Sequence, residues 1–120
     1  MRETLTITKA LADENRLRIL MMIQDQEVCV CQIVEMLDVA ASTVSKHLSI
    51  LRAADLIDSY KQGRWVYYHV PKQPTPTARA ALAWVAASLA DSSVIKNDRK
   101  KGFIICEQDP VELAKLQRQR

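Results

Sequence analysis

Apolar residues recur at helical spacing in two early stretches, Leu5–Ala12 and Asn15–Ile23, the second carrying Leu17, Leu20 and Met21 at i, i+3 and i+4. Asp13 and Glu14 supply the acidic first turn that such a helix favours. Gln24-Asp25-Gln26-Glu27 breaks the pattern, and a short helix is predicted over Cys31–Leu37 with Ile33, Met36 and Leu37 inward. Asp38–Ala41 is a turn, and a further helix is predicted over Ser42–Ala54, its core stripe formed by Val44, His47, Leu48 and Leu51. Two helices joined by so tight a turn make a helix-turn-helix candidate.

After Leu56 the period shortens. Leu56–Tyr60 and Trp65–Val70 are rich in β-branched and aromatic residues, and Lys61-Gln62-Gly63-Arg64 lies between them. A hairpin is predicted, with Gly63 at the position that needs positive φ. Pro71, Pro74 and Pro76 end it, and Thr77–Ala90 reads as an alanine-rich helix with Leu82, Val85, Ala86 and Leu89 on one stripe. Its small residues suit close packing, either with a second copy or with its own domain. Val94–Lys101 is polar and basic and reads as a mobile connector; Asp109 and Pro110 look like the N-cap and first residue of a short terminal helix. The expected fold is mainly α with a small hairpin, a winged helix-turn-helix with dimerisation helices at both ends. Residues 1–92 would form the DNA-binding and dimerisation domain, and 93–120 a basic extension.

Composition narrows the function. With 120 residues, 48% hydrophobic and 26% charged, one ordinary domain is expected. No apolar run approaches the ~20 residues of a membrane span, and the first residues lack a secretory pattern, so a cytoplasmic chain is expected. The net charge of +3 is unevenly spread: 4 basic and 7 acidic groups in 1–39, 5 and 2 in 40–72, 8 and 5 in 73–120. The polar side of the Ser42–Ala54 helix shows Ser42, Thr43, Ser45, Lys46, Ser49 and Arg52, with no acid among them. Such a face can donate to phosphates and base edges, or serve as an ordinary solvated face. The hairpin tip adds Lys61 and Arg64, and a basic tip following a basic helix face strengthens the nucleic-acid reading.

Cysteines number three, Cys29, Cys31 and Cys106, an odd count that argues against a disulfide framework. Residues i and i+2 stand ~200° apart on a regular helix, so Cys29 and Cys31 can grip one ion only if they lie at or before the helix start or if the first turn distorts on binding. A helix N-terminus also favours the thiolate. Cys106 sits in an apolar run and reads equally as a buried thiol or as a third ligand.

These stretches resemble the ArsR (ArsR/SmtB) family of metal-responsive repressors. Ala12 to Leu20, Glu27-Val28-Cys29-Val30-Cys31, Ser42 to Arg52 with Leu56-Ile57, and the wing Lys61 to Tyr68 carry the resemblance. It implies a homodimer that binds double-stranded operator DNA and releases it when As(III) or Sb(III) binds cysteine thiolates at Cys29 and Cys31, with Cys106 as candidate third ligand. Val34 stands where the arsenic sensors commonly have a further cysteine, and Ala40 where serine is frequent. Asp55 replaces a usual glycine, and Asp tolerates the left-handed conformation that position needs. Residues 77–90 hold no carboxylate or histidine, so the zinc-type site is missing. Alternatives are a redox- or persulfide-sensing repressor of the same fold, a Cd/Pb/Zn-type sensor, and a non-DNA interaction module. An enzyme is not expected, because a thioredoxin-like site needs Cys-x-x-Cys in a βαβ setting.

Overall fold

The computed structural model describes residues 1–120. In chain order the elements are α1 (Arg2–Leu11), α2 (Glu14–Asp25), β1 (Val28–Cys29), α3 (Val30–Leu37), α4 (Ala41–Ala53), β2 (Asp58–Gln62), β3 (Trp65–His69), α5 (Pro76–Ser88), α6 (Ser93–Ile105) and α7 (Pro110–Arg118). No single helix is long and apolar enough to cross a membrane.

The helix-turn-helix is α3 and α4. Its turn closes because Asp38 takes φ 58°, and α4 ends the same way at Asp55, also φ 58°. Both are aspartates, whose short polar side chains tolerate the left-handed region. Val44, Leu48 and Leu51 of α4 are buried against Ile33, Met36 and Leu37 of α3 and Ile19 and Leu20 of α2 within one core. Burial of each such side chain contributes about 1.5–3 kcal/mol. His47 is half-buried, as its place on the stripe predicts. Arg16 fixes it: one guanidinium nitrogen meets His47 Nδ1 at 3.3 Å, while Nε donates to the Ala10 carbonyl at 2.7 Å. Arginine can only donate, so Nδ1 accepts and the histidine proton lies on Nε2.

The hairpin turns at Gly63, φ 62°. A third strand, absent from the sequence expectation, joins it: β1 pairs antiparallel with β3, setting Val28 opposite Tyr68 and Cys29 opposite Tyr67, in the order β1-β3-β2. Two residues are too short for a periodic signal.

One expectation is corrected. The supposed connector over 94–101 is the first part of α6, a thirteen-residue helix capped by Ser92, whose hydroxyl accepts the Ile95 N–H. Its inward stripe is Ile95, Asp98, Gly102 and Ile105. An aspartate and a glycine in that stripe hid the periodicity. Asp98 is buried because Arg18 of α2 grips both its carboxylate oxygens at 2.8 Å. The terminal helix forms as expected, with Asp109 as N-cap and Pro110 opening α7. The segment 93–120 therefore holds two helices, both packed on α3, and α6 also on α2.

Candidate thiol centre and nucleic-acid interface

Cys29 ends β1 and is the N-cap of α3; Cys31 lies in the first turn of that helix. Cys29 therefore precedes the helix, and the i, i+2 conflict disappears: the two sulfurs are 2.8 Å apart. Both side chains are buried, at 1% and 6% exposure. Cys29 occupies a position that usually takes a serine or threonine, with sulfur facing the Gln32 N–H, while Gln32 Oε1 accepts the Cys29 N–H at 2.9 Å.

This arrangement splits the two thiols. The Cys31 S–H bonded to Cys29 sulfur, aided by backbone N–H groups at the helix start, outweighs burial and brings the Cys29 thiol down to about 6. Cys31 moves up, because its proton is held by Cys29, because it is buried, and because the Cys29 thiolate lies beside it. At neutral pH the centre is one thiolate sharing one proton with a thiol. Burial first, then the charge of Cys29, raises Cys106 at the C-cap of α6. Cys106 is half-buried and does not complete a three-donor set, since no three His, Cys, Asp or Glu side chains converge. The pair itself, soft sulfur donors in contact, fits a thiophilic ion.

Several neighbours of this centre escaped the sequence reading. Gln117 of α7 donates to the Cys31 carbonyl at 2.8 Å and to Glu35 at 3.2 Å. Arg120 binds both Glu35 oxygens at 3.0 Å, and the Pro110 carbonyl oxygen lies 3.9 Å from Cys31 Sγ. Tyr67, opposite Cys29 on β3, has its phenol raised by burial and by the two thiols. No local pattern connects residues some eighty positions apart.

The residues expected to face DNA lie on α4 and the hairpin. Ser42, Thr43, Ser45, Lys46, Ser49 and Arg52 are all exposed, as are Lys61 and Arg64. None of these cations forms an ion pair. Ser49 spends its hydroxyl on the Ser45 carbonyl, and Arg64 lies 5.5 Å over the Trp65 ring. Ala40 gives α4 no side-chain cap, as the alanine implies. Elsewhere, α1 and α5 frame an apolar groove lined by Leu11, Leu17, Leu89 and Trp84, the last 63% exposed.

Comparison with known proteins agrees with this layout. The pattern of the bacterial regulatory protein, arsR family, matches residues 13–59, from the N-cap of α2 into β2. The chain is 39% identical over 92 residues to the arsenical resistance operon repressor of Escherichia coli K12, covering 74% of this chain and 79% of that protein. It is 41% identical over 63 residues to the cadmium resistance transcriptional regulatory protein CadC of Listeria innocua, covering 52% of this chain and 53% of the relative. Against that cadmium regulator, then, it spans about half the relative's length. Among solved structures, HlyU from Vibrio cholerae N16961 superposes with a TM-score of 0.65 at 27% identity, over 75% of this chain and 95% of HlyU. These relatives are transcription regulators rather than enzymes. The chain belongs to the ArsR family of bacterial regulatory proteins.

Proposed function

We propose that the chain is a metalloid-responsive repressor that binds operator DNA as a homodimer and releases it when As(III) or Sb(III) binds its thiols. The observation that carries this reading is the contact of Cys29 and Cys31 at the start of α3, the first helix of the helix-turn-helix. Soft, three-coordinate metalloid ions suit sulfur, and Cys106 is the proposed third donor. Each thiol added displaces one hydroxyl, which leaves as water. A third sulfur would require Cys106 and α6 to move toward α3. Cys29 is also in the sheet with β3 of the wing, so displacement of its backbone is felt by both DNA-facing elements. Thr43, Ser45, Lys46, Ser49 and Arg52 would meet the major groove and its phosphates, with Ser42 at the helix start and Lys61 and Arg64 on flanking backbone. The α1–α5 groove with exposed Trp84 would carry the dimer contact.

The test is release of DNA from the chain's own promoter region in a gel shift, with As(III), Sb(III), Cd(II), Zn(II) and peroxide compared. Cys29→Ser and Cys31→Ser should each keep operator binding and lose release by As(III). Continued release from both variants would remove the thiol centre from the mechanism. A second reading is favoured by the 2.8 Å sulfur contact itself: oxidation of the pair to a disulfide. Two thiols and one peroxide would give the disulfide and two waters. Release by peroxide with arsenite inert would decide for it.

A further inference from the structure

The segment 93–120 is joined to the thiol helix and its neighbour at four places. Asp98 is gripped by Arg18, Arg99 pairs with Asp25 at 2.9 Å, Gln117 holds the Cys31 carbonyl, and Arg120 holds Glu35. The last two come from α7 and the chain end just past it, one reaching the backbone of a proposed ligand and the other a side chain a single helical turn further along α3. Pro110, which opens α7, places its carbonyl beside the Cys31 sulfur. The superposition on HlyU uses nearly all of that chain but three quarters of this one, leaving a remainder about the size of this two-helix arm.

We propose that α6 and α7 form a latch over the thiol pair, with Gln117 and Arg120 as positioning residues that set how large a thiol-seeking species can reach it. The proposal rests on the reading of Cys29 and Cys31 as the inducer site and adds a specificity to it. A small trivalent metalloid hydroxide enters a closed centre whose sulfurs are buried; an aryl-substituted reagent enters only when α7 lifts. The two ties made by Gln117 and Arg120 are individually weak. Arg120 is exposed, so its pair with Glu35 contributes little and is screened by salt. The Gln117 bond is the shielded one. A latch of this strength opens often enough to be measured and closes well enough to discriminate.

The experiment uses the full chain in a Cys106→Ser background and follows two thiol reagents, bulky dithiobis-nitrobenzoate and small methyl methanethiosulfonate. In the first, each attacking chain sulfur displaces one thionitrobenzoate, so the released chromophore counts the reaction. Gln117→Ala with Arg120→Ala should speed the aryl reagent about tenfold while the small reagent changes far less, since one to two hydrogen bonds set the opening. Glu35→Gln, which keeps α7 intact, should give part of the same rise, as should added salt on the parent. An aryl rate within about threefold of the parent in the double variant, or equal acceleration of both reagents, overturns the latch. Failure of the inducer reading shows separately: As(III) would still release DNA from Cys29→Ser and Cys31→Ser whatever the aryl rates do.

Discussion

Residues 40–72 and 73–120 each carry an excess of three positive charges, yet only the second region commits some of its cations to ion pairs. In the first region Lys46, Arg52, Lys61, Arg64 and Lys72 are exposed and none makes an ion pair. In the second, Arg99 is committed to Asp25, Arg120 to Glu35 and Lys115 to Glu112, while Arg79, Lys96, Lys100, Lys101 and Arg118 are exposed without an ion pair. Two of those pairs fasten the arm to α2 and α3. A count of charges therefore does not name a partner. Pairing sharpens it for single residues: an unpaired cation on a rigid element keeps its full attraction for a polyanion, whereas a paired one has spent it on the fold.

The largest expected effect breaks the fastening. Asp98 is 5% exposed and satisfied only through Arg18. Asp98→Ala leaves the half-buried guanidinium without its partner, a loss of about 3 kcal/mol discounted for the partial exposure of Arg18. Thermal unfolding should show the midpoint falling by about 10 °C. Operator affinity measured well below that midpoint should hold, because nothing on the exposed face of α4 touches Asp98. A variant as stable as the parent would mean the arm is not docked as described.

A second effect separates two classes of inducer by the sign of its pH dependence. With its folded value near 6, Cys29 is a thiolate above that pH, and an unfolded cysteine only above about 8.5. The depressed value stabilises the fold most above the unfolded value, and this contribution is lost as pH falls through about 6. A divalent cation displaces the remaining protons, so cadmium binding should weaken by about a further tenfold per unit below pH 6. A metalloid hydroxide exchanges each thiol proton into water and releases none. Its affinity should be flat below pH 6 and fall by about tenfold per unit above it, where Cys29 must take up a proton from solvent. Calorimetric titrations with arsenite and cadmium across this range check both slopes. Slopes that run through pH 6 without a break would show that Cys29 does not titrate near 6.

Legibility in the sequence divides along the same line. The α3–α4 unit and the hairpin were readable because their own residues carry the pattern: Val44, Leu48 and Leu51 at helical spacing, Gly63 at the turn. The angle between i and i+2 left two ways to bring Cys29 and Cys31 together, and the fold takes the first, with Cys29 ahead of the helix. The family resemblance was equally local. What stayed hidden was settled at a distance. Asp98 looked like surface until Arg18, eighty residues earlier, accounted for its burial. Gln117 looked like any polar residue on a terminal helix, and its bond to the Cys31 carbonyl leaves no trace near either residue. β1 is real but two residues long, so it exists only through its pairing with Tyr67 and Tyr68.

The smallest effect tests free against committed cations directly. Lys46 is exposed, unpaired and on the face of α4 that carries Thr43, Ser45 and Ser49. If it meets a phosphate, Lys46→Ala weakens operator binding several-fold for every sequence tried. The slope of log affinity against log salt then drops by about 0.9, one counterion fewer released. Arg99 is nearly as accessible, 46% exposed, but its guanidinium bridges to Asp25. Arg99→Ala should leave both affinity and salt slope unchanged and shift stability by no more than about 0.5 kcal/mol, the usual worth of an exposed pair. Identical losses of slope from the two variants would place the arm on the DNA and collapse the distinction. A loss confined to Lys46 assigns polyanion-facing charge to the α4 side and leaves Arg99 to the packing of the arm.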